Sequence, residues 1–230
     1  MSLPVLAVAG FLGAGKTTLL NHLLRNGRGA RIGVLVNDFG SVNIDAMLVA
    51  GQVDAMASLS NGCICCVAED GEVAEMLGKL AAVRPALDLI VVEASGVAEP
   101  PAVARTIMTA DSDDFHYAGL ILVVNGCEPE FGHGLPVADL VVLNKIDVPD
   151  ARELAEFVRP DLEERGYRVF EVSTASHEGM SLLGYAMGEL VEQGREAEAP
   201  DETAPAVLRP EPLRTRRGGK VGVPDFTITR

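Results

Sequence analysis

The chain has 230 residues, 48% of them hydrophobic, 4% aromatic, and a formal net charge of −14. That length supports one main hydrophobic core, and the acidic balance argues against a general nucleic-acid binder, because neutralising phosphates requires a basic surface. No apolar run could span a bilayer, no basic cleavable leader precedes the first strand, and three of the four cysteines crowd into positions 63–66, so the expectation is a chain of the reducing cytoplasm, with no membrane partner.

In chain order, the apolar run Val5–Ala9 reads as a buried strand and Thr17–Arg25 as an amphipathic helix, with Gly10-Phe11-Leu12-Gly13-Ala14-Gly15-Lys16-Thr17 between them. Strand, glycine-rich loop and helix N-terminus together make a nucleoside triphosphate site. Gly10, Gly13 and Gly15 let backbone N–H groups, that of Ala14 included, turn inward around an anion, and the helix dipole favours negative charge at its start. Lys16 then lies along the β- and γ-phosphates, the Thr17 hydroxyl holds Mg²⁺, and Thr18 completes the phosphate-binding set. A glycine-rich turn with one surface lysine is the bland alternative, and the flanking strand and helix disfavour it.

A second strand is expected at Ile32–Val36, followed by Asn37-Asp38-Phe39-Gly40. Further on comes Asn61-Gly62-Cys63-Ile64-Cys65-Cys66. Three bare thiols within four residues invite oxidation and metal capture. Soft thiolates suit Zn²⁺ or Cu(I), with Asp38 or a client protein as the source of a fourth ligand. Cys63 and Cys66 also form a Cys-x-x-Cys pair, so a redox role stands beside the metal one, though Cys65 would scramble any disulfide. Cys127 reads as a buried or incidental thiol, His22 and His177 as surface residues, and His116 and His133 as auxiliary ligands.

The periodicity predicts a helix over Glu72–Val83 and a strand over Leu87–Val92 that delivers Glu93-Ala94-Ser95-Gly96 at its end. Glu93 sits where a carboxylate orients a water or a Mg²⁺ ligand, and Gly96 lets the backbone approach the γ-phosphate. A helix over Pro101–Met108 and a strand over Leu120–Val124 follow. The next connection, Asn125–Asp139, is rich in Gly and Pro and lacks a helical period, although parallel crossovers usually contain a helix.

The strand Leu140–Leu143 then delivers Asn144-Lys145-Ile146-Asp147. A carboxylate at Asp147 accepts from N1–H and the exocyclic amine of guanine, a donor pair that adenine lacks. The Lys145 stem covers the base, and Asn144 ties this loop to the phosphate loop. After a helix over Ala151–Glu164 and a strand over Val169–Val172, the backbone of Ser173, Thr174 and Ala175 faces guanine O6. A helix over Ser181–Gln193 closes a domain spanning 1–193. Residues 194–208 read as an acidic linker, and 209–230 as a disordered basic tail whose contact with RNA or the ribosome is the lesser reading. Uninterrupted β-branched strands alternating with helices give an α/β, three-layer P-loop NTPase fold with a mostly parallel sheet.

The phosphate loop, Asn37-Asp38-Phe39-Gly40, Gly62-Cys63-Ile64-Cys65-Cys66 and Glu93-Ala94-Ser95-Gly96-Val97-Ala98-Glu99-Pro100 make residues 1 to about 125 resemble the CobW-type metallochaperone GTPases, with Asp38 where that pattern has Glu. The resemblance implies slow hydrolysis of GTP to GDP, Mg²⁺ as cofactor, delivery of zinc, cobalt or a similar ion to an unidentified client, and metal ligation by Asp38, Cys65, Cys66 and Cys63. Lys16, Glu93 and Asp38 are the catalytic candidates. From about residue 138, Leu140–Asp150 and Val158–Ser173 look more similar to the end of the GTPase domain in Obg-family ribosome-associated proteins, as do Leu208-Arg209-Pro210 and Phe226–Arg230 to the opening of that family's C-terminal domain. On that reading the chain is a composite with its seam at Asn125–Asp139.

Overall fold

A computed structural model of the chain describes residues 2–27, 29–36, 55–58, 71–110, 112–129 and 131–198. The elements run β1 (Leu3–Ala9), α1 (Lys16–Arg25), β2 (Ile32–Val36), β3 (Ala55–Ser58), α2 (Glu72–Ala81), β4 (Leu89–Glu93), α3 (Pro100–Thr109), β5 (Phe115–Asn125), β6 (Leu140–Asn144), α4 (Pro149–Glu164), β7 (Val169–Val172) and α5 (Met180–Glu198). Among the described residues the seven strands form one sheet in the order β3-β2-β4-β1-β5-β6-β7. Every pairing between them is parallel.

Strands of a parallel sheet are covered on both faces, and β1 shows how the sequence meets that demand. Val5, Ala7 and Ala9 join a core with residues of α2, α3 and α4, including Leu77, Ile107 and Leu162. Leu6 and Val8 point the other way, into a core with Leu19, Leu20 and Leu24 of α1 and Leu183, Met187 and Leu190 of α5. The three layers are therefore three helices, the sheet, and two helices. Leu6 and Leu19 are fully buried, and truncating such a side chain to alanine costs about 2–5 kcal/mol.

Pro100 and Pro149 occupy the first turn of α3 and α4, where a missing N–H breaks no helical bond. Among its described residues the Asn125–Asp139 connection carries only a short 3₁₀ turn at Leu135–Val137, matching the expected crossover without an α-helix. Helix α5 continues five residues past the expected end at Gln193, and Arg195 within that extension donates to the Asp88 carbonyl at 3.1 Å. The strand β3 has no counterpart in the sequence expectations. The segment beyond residue 198, with most of the expected linker and all of the basic tail, lies outside the described residues.

Candidate functional site

Parallel strands carry their active loops at the C-terminal edge of the sheet, and the register ends β1 and β4 together and β5, β6 and β7 together, with Asn125 three residues beyond Leu122, the partner of Ala9. Val8 pairs with Glu93, Asn125 with Asn144, and Asn144 with Val172. The loops after β1, β4, β6 and β7 are thus neighbours by construction.

The loop after β1 is built on left-handed glycines. Gly10, Gly13 and Gly15 have φ of +144°, +74° and +99°. A Cβ on Gly10 would lie 2.0 Å from the Val123 carbonyl oxygen, and one on Gly15 would lie 2.3 Å from the Asn144 amide nitrogen. Lys16 is buried, and its ammonium donates to the carbonyls of Gly10 and Phe11 at 2.9 and 3.0 Å, which folds it back across the loop it belongs to. Those are charge–dipole contacts that a phosphate oxygen can replace with a stronger, charge-assisted one.

Thr17, at the start of α1, donates its hydroxyl to the carboxylate of Glu93, a residue 3% exposed at the end of β4. A hydroxyl and a carboxylate meeting beside a phosphate loop are the hard oxygen donors that Mg²⁺ takes, so the residues present fit that ion. Beyond Glu93 the chain turns closely against the phosphate loop: a Cβ on Gly96 would come within 2.7 Å of the Leu12 Cα. The absence of a side chain at Gly96 is thus what lets the backbone of Leu12, within the phosphate loop, pack this closely.

Asn144 joins the two halves of the site. Its side chain is completely buried; the amide donates to the Ala14 carbonyl at 2.8 Å, and its oxygen accepts from the Thr174 N–H at 3.1 Å. The next residue, Lys145, is half-buried with φ +73°, a left-handed turn that redirects the chain out of the strand. Asp147 is exposed, and its carboxylate accepts from the buried Ser173 hydroxyl at 2.6 Å, while that same hydroxyl accepts from the Ser176 N–H at 2.9 Å. Ser173 thus positions Asp147 through its side chain as well as supplying backbone to the loop. The sequence pattern carries no signal for that hydrogen bond, because it depends on the pairing of β6 with β7.

Asp38, Cys63, Cys65 and Cys66 lie outside the described residues, and nothing of their arrangement follows from the coordinates. Among the described residues no group of three or more His, Cys, Asp or Glu side chains could hold a metal ion. Cys127 is exposed, so it is not the buried thiol that one reading allowed. His116 is buried against the Ser2 hydroxyl at 2.6 Å, and His133 pairs with Glu99 at 3.2 Å. His22 and His177, read from sequence as unrelated surface residues, meet with their Nδ1 atoms 2.6 Å apart. No helix among the described residues is long and apolar enough to cross a membrane.

A central strand, a glycine loop ending in Lys-Thr, an acidic strand end and an Asn-Lys-x-Asp loop tethered to the glycine loop define a P-loop nucleotide-binding domain. Residues 4–166 match the family described as CobW/HypB/UreG, nucleotide-binding domain, and the chain belongs to that family. The match runs on through Asn125–Asp139, past the expected seam, so the stretch from 138 to 166, expected from sequence to be Obg-like, lies within the matched CobW/HypB/UreG domain.

The chain is 41% identical over 117 residues to the zinc-regulated GTPase metalloprotein activator 1 of Dictyostelium discoideum, covering 45% of this chain and 24% of that protein. It is 32% identical over 226 residues to the zinc chaperone CobW of a Sinorhizobium species, covering 81% of this chain and 63% of that protein. It therefore spans less than two thirds of the length of either relative. Its fold is similar to that of the hydrogenase maturation factor HypB from Archaeoglobus fulgidus, with a TM-score of 0.57 at 19% identity over 83% of this chain and 90% of that one. HypB from Helicobacter pylori, in complex with nickel, is similar too, with a TM-score of 0.54 at 19% identity over 85% and 89%. At that identity the likeness is one of fold.

Proposed function

We propose that this chain binds GTP with Mg²⁺, hydrolyses it to GDP and phosphate, and uses the nucleotide state to control a thiolate metal site from which zinc, cobalt or a similar ion passes to a client protein in the cytoplasm. The observation that carries the nucleotide half is the Asn144 tether. One buried amide fixes the phosphate loop at Ala14 and the base-side loop at Thr174, so a triphosphate and a guanine find their partners at a set separation.

On this reading Gly10, Gly13, Ala14, Gly15, Lys16, Thr17 and Thr18 hold the phosphates, while Lys145, Asp147, Ser173, Thr174 and Ala175 surround the base. Thr17 and Glu93 would hold a Mg²⁺ ion, which would supply neutralisation of the phosphate charge when bound. Lys16 leaves the Gly10 and Phe11 carbonyls for the transferred phosphoryl group, where negative charge is spread in the transition state. Glu93 or Asp38 orients the attacking water. Its oxygen forms the new bond to the γ-phosphorus, the bond to the bridging oxygen breaks toward GDP, and the water's proton leaves with the phosphate. Burial of Glu93 keeps its carboxylate in one place through that exchange.

Cys63, Cys65 and Cys66 bind the cargo ion, with Asp38 as a further ligand. The support is the Gly-Cys-x-Cys-Cys motif itself and the two relatives, whose names speak of zinc. Asp147→Asn tests the base assignment: guanine affinity should fall and xanthine nucleotide affinity should rise, because the new amide donates to xanthine O2. Equal ATP and GTP binding by the wild-type chain in calorimetry would refute the assignment. The cargo half is tested separately by zinc competition against a chelator, with and without a non-hydrolysable GTP analogue, in wild type and Cys65→Ser/Cys66→Ser. Coupling between the sites is typically about 1–3 kcal/mol where it exists, and identical affinities in all four cases would refute it.

A further inference from the structure

We propose that His22 and His177 form a second metal site, a two-imidazole chelate for a late first-row divalent cation such as Ni²⁺ or Cu²⁺. It is separate in sequence from the cysteine cluster and does not rest on the nucleotide or thiolate readings. The two residues are 155 positions apart, His22 on α1 and His177 in the loop between β7 and α5, yet their Nδ1 atoms converge to 2.6 Å with ring centroids 4.5 Å apart.

That convergence is imposed by the backbone. His177 has φ +68°, a left-handed conformation that L residues seldom adopt, and its N–H donates to the Ser173 carbonyl at 2.8 Å. His22 is fixed by its helix. Among the described residues, each ring has the other as its polar partner, with no carboxylate holding either one in a single orientation. Burial and the neighbouring His177 hold His22 below the ordinary histidine range.

The spacing also selects among metals. An ion about 2.0–2.1 Å from each nitrogen would see a pair 2.6 Å apart at roughly 80°. Widening the pair to about 2.9 Å gives the right angle of square-planar or octahedral coordination, whereas a tetrahedral ion needs about 3.3 Å. A small ring rotation therefore serves Ni²⁺ or Cu²⁺ better than Zn²⁺, the same direction as their intrinsic affinities. Both imidazoles line a cavity of about 1000 Å³ between α1 and α5, with Ser181 and Tyr185 alongside, which gives room for the water ligands that complete the shell. On binding, the proton shared between the two Nδ1 atoms moves to an Nε2, and no net proton is released. With two protein ligands the ion exchanges readily.

The test uses the full chain with Cys63, Cys65, Cys66 and Cys127 replaced by Ser, so that thiols do not compete. Calorimetry should find one Ni²⁺ per chain, and the electron paramagnetic resonance spectrum of the Cu²⁺ form should show two imidazole nitrogens. His22→Ala and His177→Ala should each weaken Ni²⁺ at least tenfold, while His133→Ala should leave it unchanged. Unchanged Ni²⁺ binding in His22→Ala, or Zn²⁺ bound more tightly than Ni²⁺, would overturn the proposal. Should the serine variant not fold, Co²⁺ titration of the wild-type chain decides instead, since thiolate-bound Co²⁺ shows charge-transfer bands. There His22→Ala should remove only the equivalent that lacks those bands, and an unaltered stoichiometry would overturn the site.

Discussion

Replacing Asn144 by alanine should damage stability and nucleotide binding together. The side chain is completely buried and makes three contacts: to the Ala14 carbonyl at 2.8 Å, from the Thr174 N–H at 3.1 Å, and to the Thr174 hydroxyl at 3.4 Å. The first two are well-formed bonds to backbone groups that the substitution leaves behind. A net loss of about 1 kcal/mol per bond, with more wherever the orphaned group stays dry, gives a cost of about 2–4 kcal/mol. For a chain of this size that is a fall of roughly 5–15 °C in Tm. Because the lost bonds join the phosphate and base loops, GTP and GDP affinity should fall by more than tenfold in excess of what partial unfolding explains. Asn144→Asp keeps the acceptor for the Thr174 N–H but sets a carboxylate oxygen against the Ala14 carbonyl, so it should not rescue. Thermal melts and calorimetry on the three proteins read both quantities. An Asn144→Ala protein with wild-type Tm and GTP affinity would refute the view that this amide assembles the site.

Gly10→Ala should be among the most damaging single changes, about 3–5 kcal/mol, because the new Cβ meets the Val123 carbonyl oxygen at 2.0 Å on a backbone with φ +144°; a wild-type melt would refute this. A chain ending at Glu198 should melt and bind GTP as the full chain does, whereas one ending at Gln193 should be less stable, since it loses the contact of Arg195 with the Asp88 carbonyl. Equal melts for the two would refute that role for the extra helical turn. The lowered pKa of His22 means that the folded chain binds fewer protons at this site than the unfolded chain. Its contribution is therefore unfavourable below the ordinary histidine pKa of about 6.5 and vanishes above it. Stability should fall as pH drops from 7 to 5, and His22→Gln should flatten that slope in thermal melts; an unchanged slope would refute the assignment.

How much of this was legible in the sequence follows from how local each signal is. The strands around β1, β4, β5 and β6 could be read because burial on both faces leaves continuous β-branched runs, and the missing crossover helix because Gly and Pro crowd Asn125–Asp139. Strand β3 could not: Ala-Met-Ala-Ser is four residues long with no β-branched member, and its place at the sheet edge comes only from pairing with β2. The site divides in the same way. Lys16, Asn144 and Asp147 sit in motifs whose spacing carries their chemistry, but the hydrogen bond of Ser173 to Asp147 and the meeting of His22 with His177 depend on which strand ends become neighbours. Gly96 shows the consequence most clearly. A glycine after an acidic strand end suggests close approach to something, and sequence alone supplies a phosphate as that something. The pairing of Val8 with Glu93 also brings the loop after β4 against Leu12, a contact that no motif announces. The phosphate loop is thereby packed on one side against the backbone around Gly96 and held on the other by the Asn144 amide, so its position is set jointly by the loops after β4 and β6.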